Sequence, residues 1–268
     1  MSRAFAGEVE RLRLNLAGHQ LTVVLERRGP AAAPLWLLLP ALSTVSSRSE
    51  WLAFVEAVGD QRQLVSFDWL GFGESDRPPM DYDASLQRFV LQGVLDHLAS
   101  HHSQPVTVVA AGHSASLALS LAAECSNQWQ GLIAVAPTWR GPLPTMTGWS
   151  PQSFGWLRQL LAAPLIGPAL YWLNTSRPVL QVMLRRHVWM NPALLTQARI
   201  FEQQSIARQP GARYASAAFV SGGLDAATHG RWWRQQATLL KCPLHVVLRW
   251  SGFSGQAPSL TSEAGHCP

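Results

Sequence analysis

Ser114, in the run Gly112, His113, Ser114, Ala115, Ser116, is the residue whose type and setting best fit covalent chemistry. A serine hydroxyl is a weak nucleophile until a sharp turn presents it, a base takes its proton and aimed N–H donors stabilise the oxyanion. Val106 to Ser116 meets the first requirement, since an apolar run leads into a turn flanked by the small residues Gly112 and Ser116, which let a strand and a helix approach closely. Ser116 replaces the second glycine of the usual GxSxG pattern and keeps that position small. The competing reading is a serine capping an ordinary helix. Placement between a strand-like and a helix-like segment favours the nucleophile. The three cysteines, Cys125, Cys242 and Cys267, are far apart and in no metal-ligand spacing, so neither a disulfide framework nor a zinc site is indicated, and no metal or cofactor is expected.

The elements that must position Ser114 follow from hydrophobic periodicity. Leu12 to Leu16 and Leu21 to Leu25 read as a hairpin turning at Gly18 and His19, and Leu35 to Leu39 is a continuous apolar run, as in a strand covered on both faces. A helix over 50–59, a strand over Leu64 to Phe67, a polar loop from Gly71 to Asp83 and a helix over 84–100 precede the strand Val106 to Ala111. A helix over 115–125 and the strand Leu132 to Ala136 complete the unit. Strands alternating with helices at this spacing imply an α/β fold with a doubly wound, mostly parallel sheet.

The rhythm breaks after Pro137, and the chain divides into a first part of the core (1–137), a helical cap insertion (138–213), a second part of the core (214–248) and an irregular tail (249–268). The cap region shows three or four amphipathic helical stretches and no strand; a helix near 226–240 and the run Leu244 to Leu248 then restore the α/β pattern.

The chain resembles the α/β-hydrolase superfamily from Leu21 to Leu248. Besides the serine turn, the run Asp68 to Pro78 (DWLGFGESDRP) matches the loop after the fourth strand of many cap-bearing members. PALSTVSSRSEW (Pro40 to Trp51), APTWRGPLP (Ala136 to Pro144) and GARYASAAFVSGGLD (Gly211 to Asp225) resemble a branch of cyanobacterial and chloroplast hydrolases. The resemblance implies an oxyanion hole made by the backbone N–H groups of Ala115 and Leu42. It also implies an acid after the strand Leu244 to Leu248 and a histidine after one further strand. Arg249 to Ala257 contains no acid, and His266, the candidate base, follows a stretch too short for the last strand and helix, as a truncated or out-of-frame C-terminus would look. Asp225 is the candidate acid; it also reads as the cap of the helix after it. His113 is expected to point into the packing of the turn.

Charge and aromatics bear on partners. The net charge is +5, yet residues 138–213 hold eight arginines against one acidic residue, Glu202, a balance of +7, together with Trp139, Trp149, Trp156, Trp172 and Trp189. Such a surface suits peripheral contact with an anionic membrane, or else a cap whose tryptophans pack on the core beneath a solvated basic face. Arginine and tryptophan also suit nucleic acid, but no nucleic-acid-binding motif accompanies them. The apolar span Leu157 to Leu173 is interrupted by Pro164 and Pro168 and falls short of the about 20 residues of a transmembrane helix. Met1 to Glu10 holds no signal-peptide run, and a cytoplasmic location, peripheral to a membrane, is expected.

The function expected from the sequence is a serine hydrolase acting on a small-molecule or lipid-like carboxylic ester or thioester with an apolar acyl group. The alternative is a binding or scaffold protein of the same fold that lacks a complete triad. Dehalogenase-type chemistry is disfavoured, because it needs a carboxylate where Ser114 stands.

Overall fold

A computed structural model of the protein describes residues 4–16, 18–187 and 195–248. Seven strands form one sheet: β1 (Glu8–Leu16), β2 (His19–Arg28), β3 (Leu35–Leu39), β4 (Gln63–Phe67), β5 (Val106–Ala111), β6 (Trp129–Val135) and β7 (Leu244–Val247), in the order β1-β2-β4-β3-β5-β6-β7. β1 and β2 pair antiparallel, β2 joins β4 antiparallel, and the remaining neighbours are parallel. The central strands are mostly apolar because both faces are covered. Alternation along them sorts their side chains into two cores. Leu37, Leu39, Val65, Phe67, Val108 and Ala110 enter one, while Leu38, Leu64 and Val109 enter the other with Phe5, Trp51 and Val55.

Helix α1 (Leu52–Val58), preceded by a 3₁₀ turn at Arg48–Trp51, links β3 to β4. Helix α2 (Ala84–His101) links β4 to β5, its first turn capped by the Asp83 carboxylate, which accepts the Leu86 N–H at 2.7 Å. Helix α3 (Ser114–Glu124) begins directly after the β5 turn and is buried along nearly its whole length.

Between β6 and β7 the described residues are helical: α4 (Pro142–Thr147), α5 (Gly155–Ala162), α6 (Ile166–Asn174), α7 (Arg177–His187), α8 (Gln197–Ala207), α9 (Ala212–Val220) and α10 (Trp232–Leu239). Five of these lie wholly within 138–213, against the three or four stretches expected, because Gly148, Pro164 and Ser176 cut the apolar pattern into short pieces. They carry a small core of their own, in which Leu180, Leu184, Leu195, Ile200 and Ala207 meet Val45 from the loop after β3. Ala215 and Ala218 of α9 belong to the main core and bind this helical layer to the sheet.

One expectation changes. Helix α10 starts at Trp232 rather than near 226, because Asp225 is drawn to partners elsewhere and does not cap it. The run Leu244 to Leu248 forms β7, which pairs only with β6 among the described residues and leaves Val246, Val247 and Leu248 exposed. The tail 249–268 lies outside the described residues, and with it the expected absence of a last strand and helix and the candidate base His266.

Candidate active site

The turn after β5 is built on Gly112, which takes a positive φ of 52°. Its N–H donates to the Val135 carbonyl at 2.9 Å, and its carbonyl accepts the Thr138 N–H at 3.1 Å, so β5 and the end of β6 are clamped together under the turn. A side chain here would carry the strain of a left-handed backbone and stand 3.2 Å from Ala41 Cβ, so glycine lets the loop after β3 lie against the turn. His113 has ordinary right-handed helical angles, and Ser114 is the first residue of α3. The left-handed conformation of the turn falls on Gly112, where glycine adopts it at little cost.

Ser114 is fully buried, and its hydroxyl donates to the Pro40 carbonyl, which also accepts the Trp69 indole N–H at 2.9 Å. Among the described residues no imidazole is hydrogen-bonded to Ser114 Oγ. Leu42 follows in the same loop; it is buried, and its N–H has no acceptor among the described residues. The Ala115 N–H makes only a long turn contact of 3.3 Å to the Gly112 carbonyl. Neither N–H therefore has a strong competing acceptor among the described residues.

His113 is buried beside the serine, its ring edge-on to Phe219 at 5.8 Å. His113 Nε2 lies 2.9 Å from Asp225 Oδ1, though its N–H is not aligned on that oxygen, and Nδ1 lies 3.4 Å from Thr138 Oγ1. Asp225 also accepts the Gly141 N–H, at 2.9 and 3.2 Å through its two oxygens. A side chain on Gly141 would meet the Phe219 carbonyl at 2.4 Å, which is why the N–H can approach this closely. Asp225 thus sits at the turn, where it serves His113 and Gly141; with both imidazole nitrogens of His113 facing these neighbours, that ring is not turned to Ser114 Oγ.

The loop bearing Leu42 is held by a buried charge cluster. The Arg48 backbone N–H donates to Asp68 Oδ1 at 2.7 Å, and its guanidinium reaches Glu26 at 3.0 Å, Glu74 at 2.7 Å and, more closely, Asp68. Glu26 in turn accepts the N–H groups of Ala4, Phe5 and Gly7 at 2.7, 3.0 and 2.9 Å. Burial pushes the Asp68 carboxyl up, and Arg48 pulls against it. Gly73 must lack a side chain to make this packing possible, since its Cβ would stand 2.1 Å from the Asp68 carboxyl carbon. One step nearer the serine, Glu50 accepts the Ala41 N–H at 2.9 Å. Desolvation raises the Glu50 carboxyl to about 7, against the opposing hydrogen bonds from Ala41, Ser46 and Ser47, while the residue as a whole stays exposed. The Glu26–Arg48–Asp68–Glu74 cluster and the His113–Asp225–Gly141 contact were not visible in the sequence. The only hint was charged residues inside or at the ends of otherwise buried strands.

Two cavities are found near these elements. One of about 240 Å³ lies between Tyr82 of the loop after β4 and Arg158, Tyr214 and Ala218 of α5 and α9. The other, about 180 Å³, lies at the start of the central strands β3 and β5, beside Leu35 and Val106. Neither is lined by Ser114, Leu42 or Ala115.

The alpha/beta hydrolase family matches residues 36–268. The chain belongs to this family. Among solved structures it is similar to Cfl2 of Burkholderia cenocepacia (20% identity, 90% of this chain and 79% of that one, TM-score 0.63). It is also similar to the haloalkane dehalogenase DatA of Agrobacterium tumefaciens (19%, 91% and 80%, TM-score 0.62) and to a thermophilic esterase of Thermogutta terrifontis (18%, 89% and 89%, TM-score 0.57). At these identities the likeness is one of fold. No curated protein matches the chain by sequence.

Proposed function

We propose that this α/β hydrolase is a serine hydrolase that cleaves a carboxylic ester or thioester with an apolar acyl group, through an acyl-enzyme on Ser114. The observation carrying this reading is the position of Ser114 at the β5 to α3 turn, with its hydroxyl against Pro40 of the loop that also bears Leu42. In this reading the hydroxyl first rotates away from the Pro40 carbonyl, then attacks the acyl carbon. A base takes the serine proton, the developing oxyanion takes hydrogen bonds from Leu42 and Ala115, and the leaving group departs with the proton the base returns; water, deprotonated by the same base, then attacks the acyl-enzyme and releases the carboxylic acid and the Ser114 hydroxyl. His266 is the proposed base and Asp225 the proposed acid, and helices α4 to α8 form the cap over the site. A carboxylate nucleophile of the dehalogenase kind is disfavoured, since serine stands at the turn.

A second reading is favoured by one specific observation: the Ser114 hydroxyl is buried and spent on the Pro40 carbonyl. In this reading the fold serves as a binding or scaffold protein without hydrolytic turnover. A fluorophosphonate probe separates the two. Labelling of the folded protein that disappears in Ser114→Ala supports the hydrolase; absence of labelling in protein shown to be folded by a cooperative thermal transition rejects it in favour of the binding protein.

A further inference from the structure

Helix α6 leaves most of its length exposed. It buries only Gly167 and Tyr171, one turn apart, with Thr175 just beyond its end continuing the same stripe. The Tyr171 hydroxyl fastens that stripe by donating to the Ala207 carbonyl at 2.9 Å, with Ser216 Oγ 3.0 Å away. The rest of the helix and the turn before it face outward with large apolar side chains: Leu165 is 85% exposed, Ile166 54%, Trp172 61% and Leu173 61%. Trp156 of α5 adds a further exposed indole. Between Arg158 and Arg177 the chain runs for 18 residues without a charged side chain. Such an exposed apolar surface marks a place where the molecule meets something else.

The basic side chains around this surface identify what it meets. The Arg208 guanidinium lies over the Trp172 ring at 4.6 Å and donates to the Trp172 carbonyl at 2.9 Å, which places a cation beside an exposed indole. Arg177, at the start of α7, lies over the Phe201 ring at 5.4 Å and is exposed. An apolar face with indoles and arginines at its border has the composition of an interfacial membrane helix, whose apolar side chains sit at the acyl boundary while its cations meet headgroups. A second copy of the chain is a poor occupant, because residues 138–213 carry eight arginines and one acidic residue and two such surfaces would repel. No helix among the described residues is long and apolar enough to cross a membrane, so the contact would lie in the plane of the interface.

We propose that α6 and the Pro164–Leu165 turn form a docking surface for anionic lipid bilayers. The test is co-sedimentation of the full chain with phosphatidylcholine vesicles, with and without phosphatidylglycerol, at low and high salt. The protein is expected to pellet with the anionic vesicles and to be released as salt screens the arginines, since the Debye length falls from about 10 Å at 0.1 M to about 3 Å at 1 M. Arg177→Gln is expected to weaken binding about fivefold, the usual effect of one basic side chain at an anionic surface. The double variant Leu165→Asp, Ile166→Asp replaces two exposed side chains. It is expected to abolish pelleting while leaving the melting temperature unchanged. Absence of pelleting at every lipid composition overturns the proposal, as does pelleting that the double variant retains. A solution dimer that the double variant converts to monomer, without vesicle binding by either protein, overturns it in favour of self-association.

Discussion

Replacing Arg48 by Met removes the guanidinium that three carboxylates share while keeping much of the side chain's volume. Arg48, Glu26 and Asp68 are all sealed from solvent, whereas Glu74 keeps 28% of its side chain exposed and loses little. Leaving buried carboxylates without their cation costs about 3–5 kcal/mol. That is a large part of the roughly 5–15 kcal/mol by which proteins are stable, and a shift of about 10²- to 10⁴-fold in the folding equilibrium. The loss should depend on pH. Burial already raises the Asp68 carboxyl against the pull of Arg48, so removing Arg48 raises it further. A folded-state value above the unfolded one, about 3.9 for Asp, means that the folded protein keeps a proton the unfolded chain has released. Stability is then highest at low pH and falls as pH rises through the folded value. Urea unfolding of wild type and Arg48→Met near pH 5 and pH 8 measures this, with the larger deficit expected at pH 8. A deficit below about 1 kcal/mol, the range of surface ion pairs, or an equal deficit at both pH values would refute the reasoning. Because Arg48 follows the loop carrying Leu42, the variant should also lose whatever serine reactivity the wild type shows.

Three further outcomes are expected. Ser114→Ala should abolish fluorophosphonate labelling and leave the thermal transition in place, because the change removes one hydroxyl whose acceptor, the Pro40 carbonyl, retains the Trp69 indole. Asp225→Ala strips the Gly141 N–H and His113 of a buried partner. It should cost about 1–3 kcal/mol in chemical denaturation, and a loss below about 0.5 kcal/mol, the scale of an ordinary surface substitution, would show the contact to be incidental. For Glu50, whose carboxyl rises from 4.5 to about 7 on folding, stability should fall as pH climbs through that window and level off above it. Solvent exposure softens the effect, and thermal melts of Glu50→Gln should show a flatter pH profile than wild type; parallel profiles would assign the slope to other groups.

The elements nearest the serine were legible because each is specified by its own residues. An unbroken apolar run of five residues at Leu35–Leu39 has few alternatives to a strand covered on both faces, and β3 occupies those residues. The hairpin through Gly18, the strand Val106–Ala111 and the helix following Ser114 were readable for the same reason. The error lies where an element depends on what packs against it. Helix α10 begins late because Asp225, a plausible cap by local sequence, is bonded to Gly141 instead.

By itself, then, the sequence determined the α/β alternation, the serine turn and the basic, tryptophan-rich character of residues 138–213, since periodicity, turn chemistry and charge are local properties. Only the tertiary structure decided that the left-handed residue of the turn is Gly112, that the serine hydroxyl faces Pro40, and that Asp225 lies against His113. It also decided that Glu26, Arg48, Asp68 and Glu74, drawn from three separate segments, share one largely buried cluster. The reason is physical. A buried polar group must find a partner, and which partner it finds depends on distances set by the packing of distant segments, which no local pattern records.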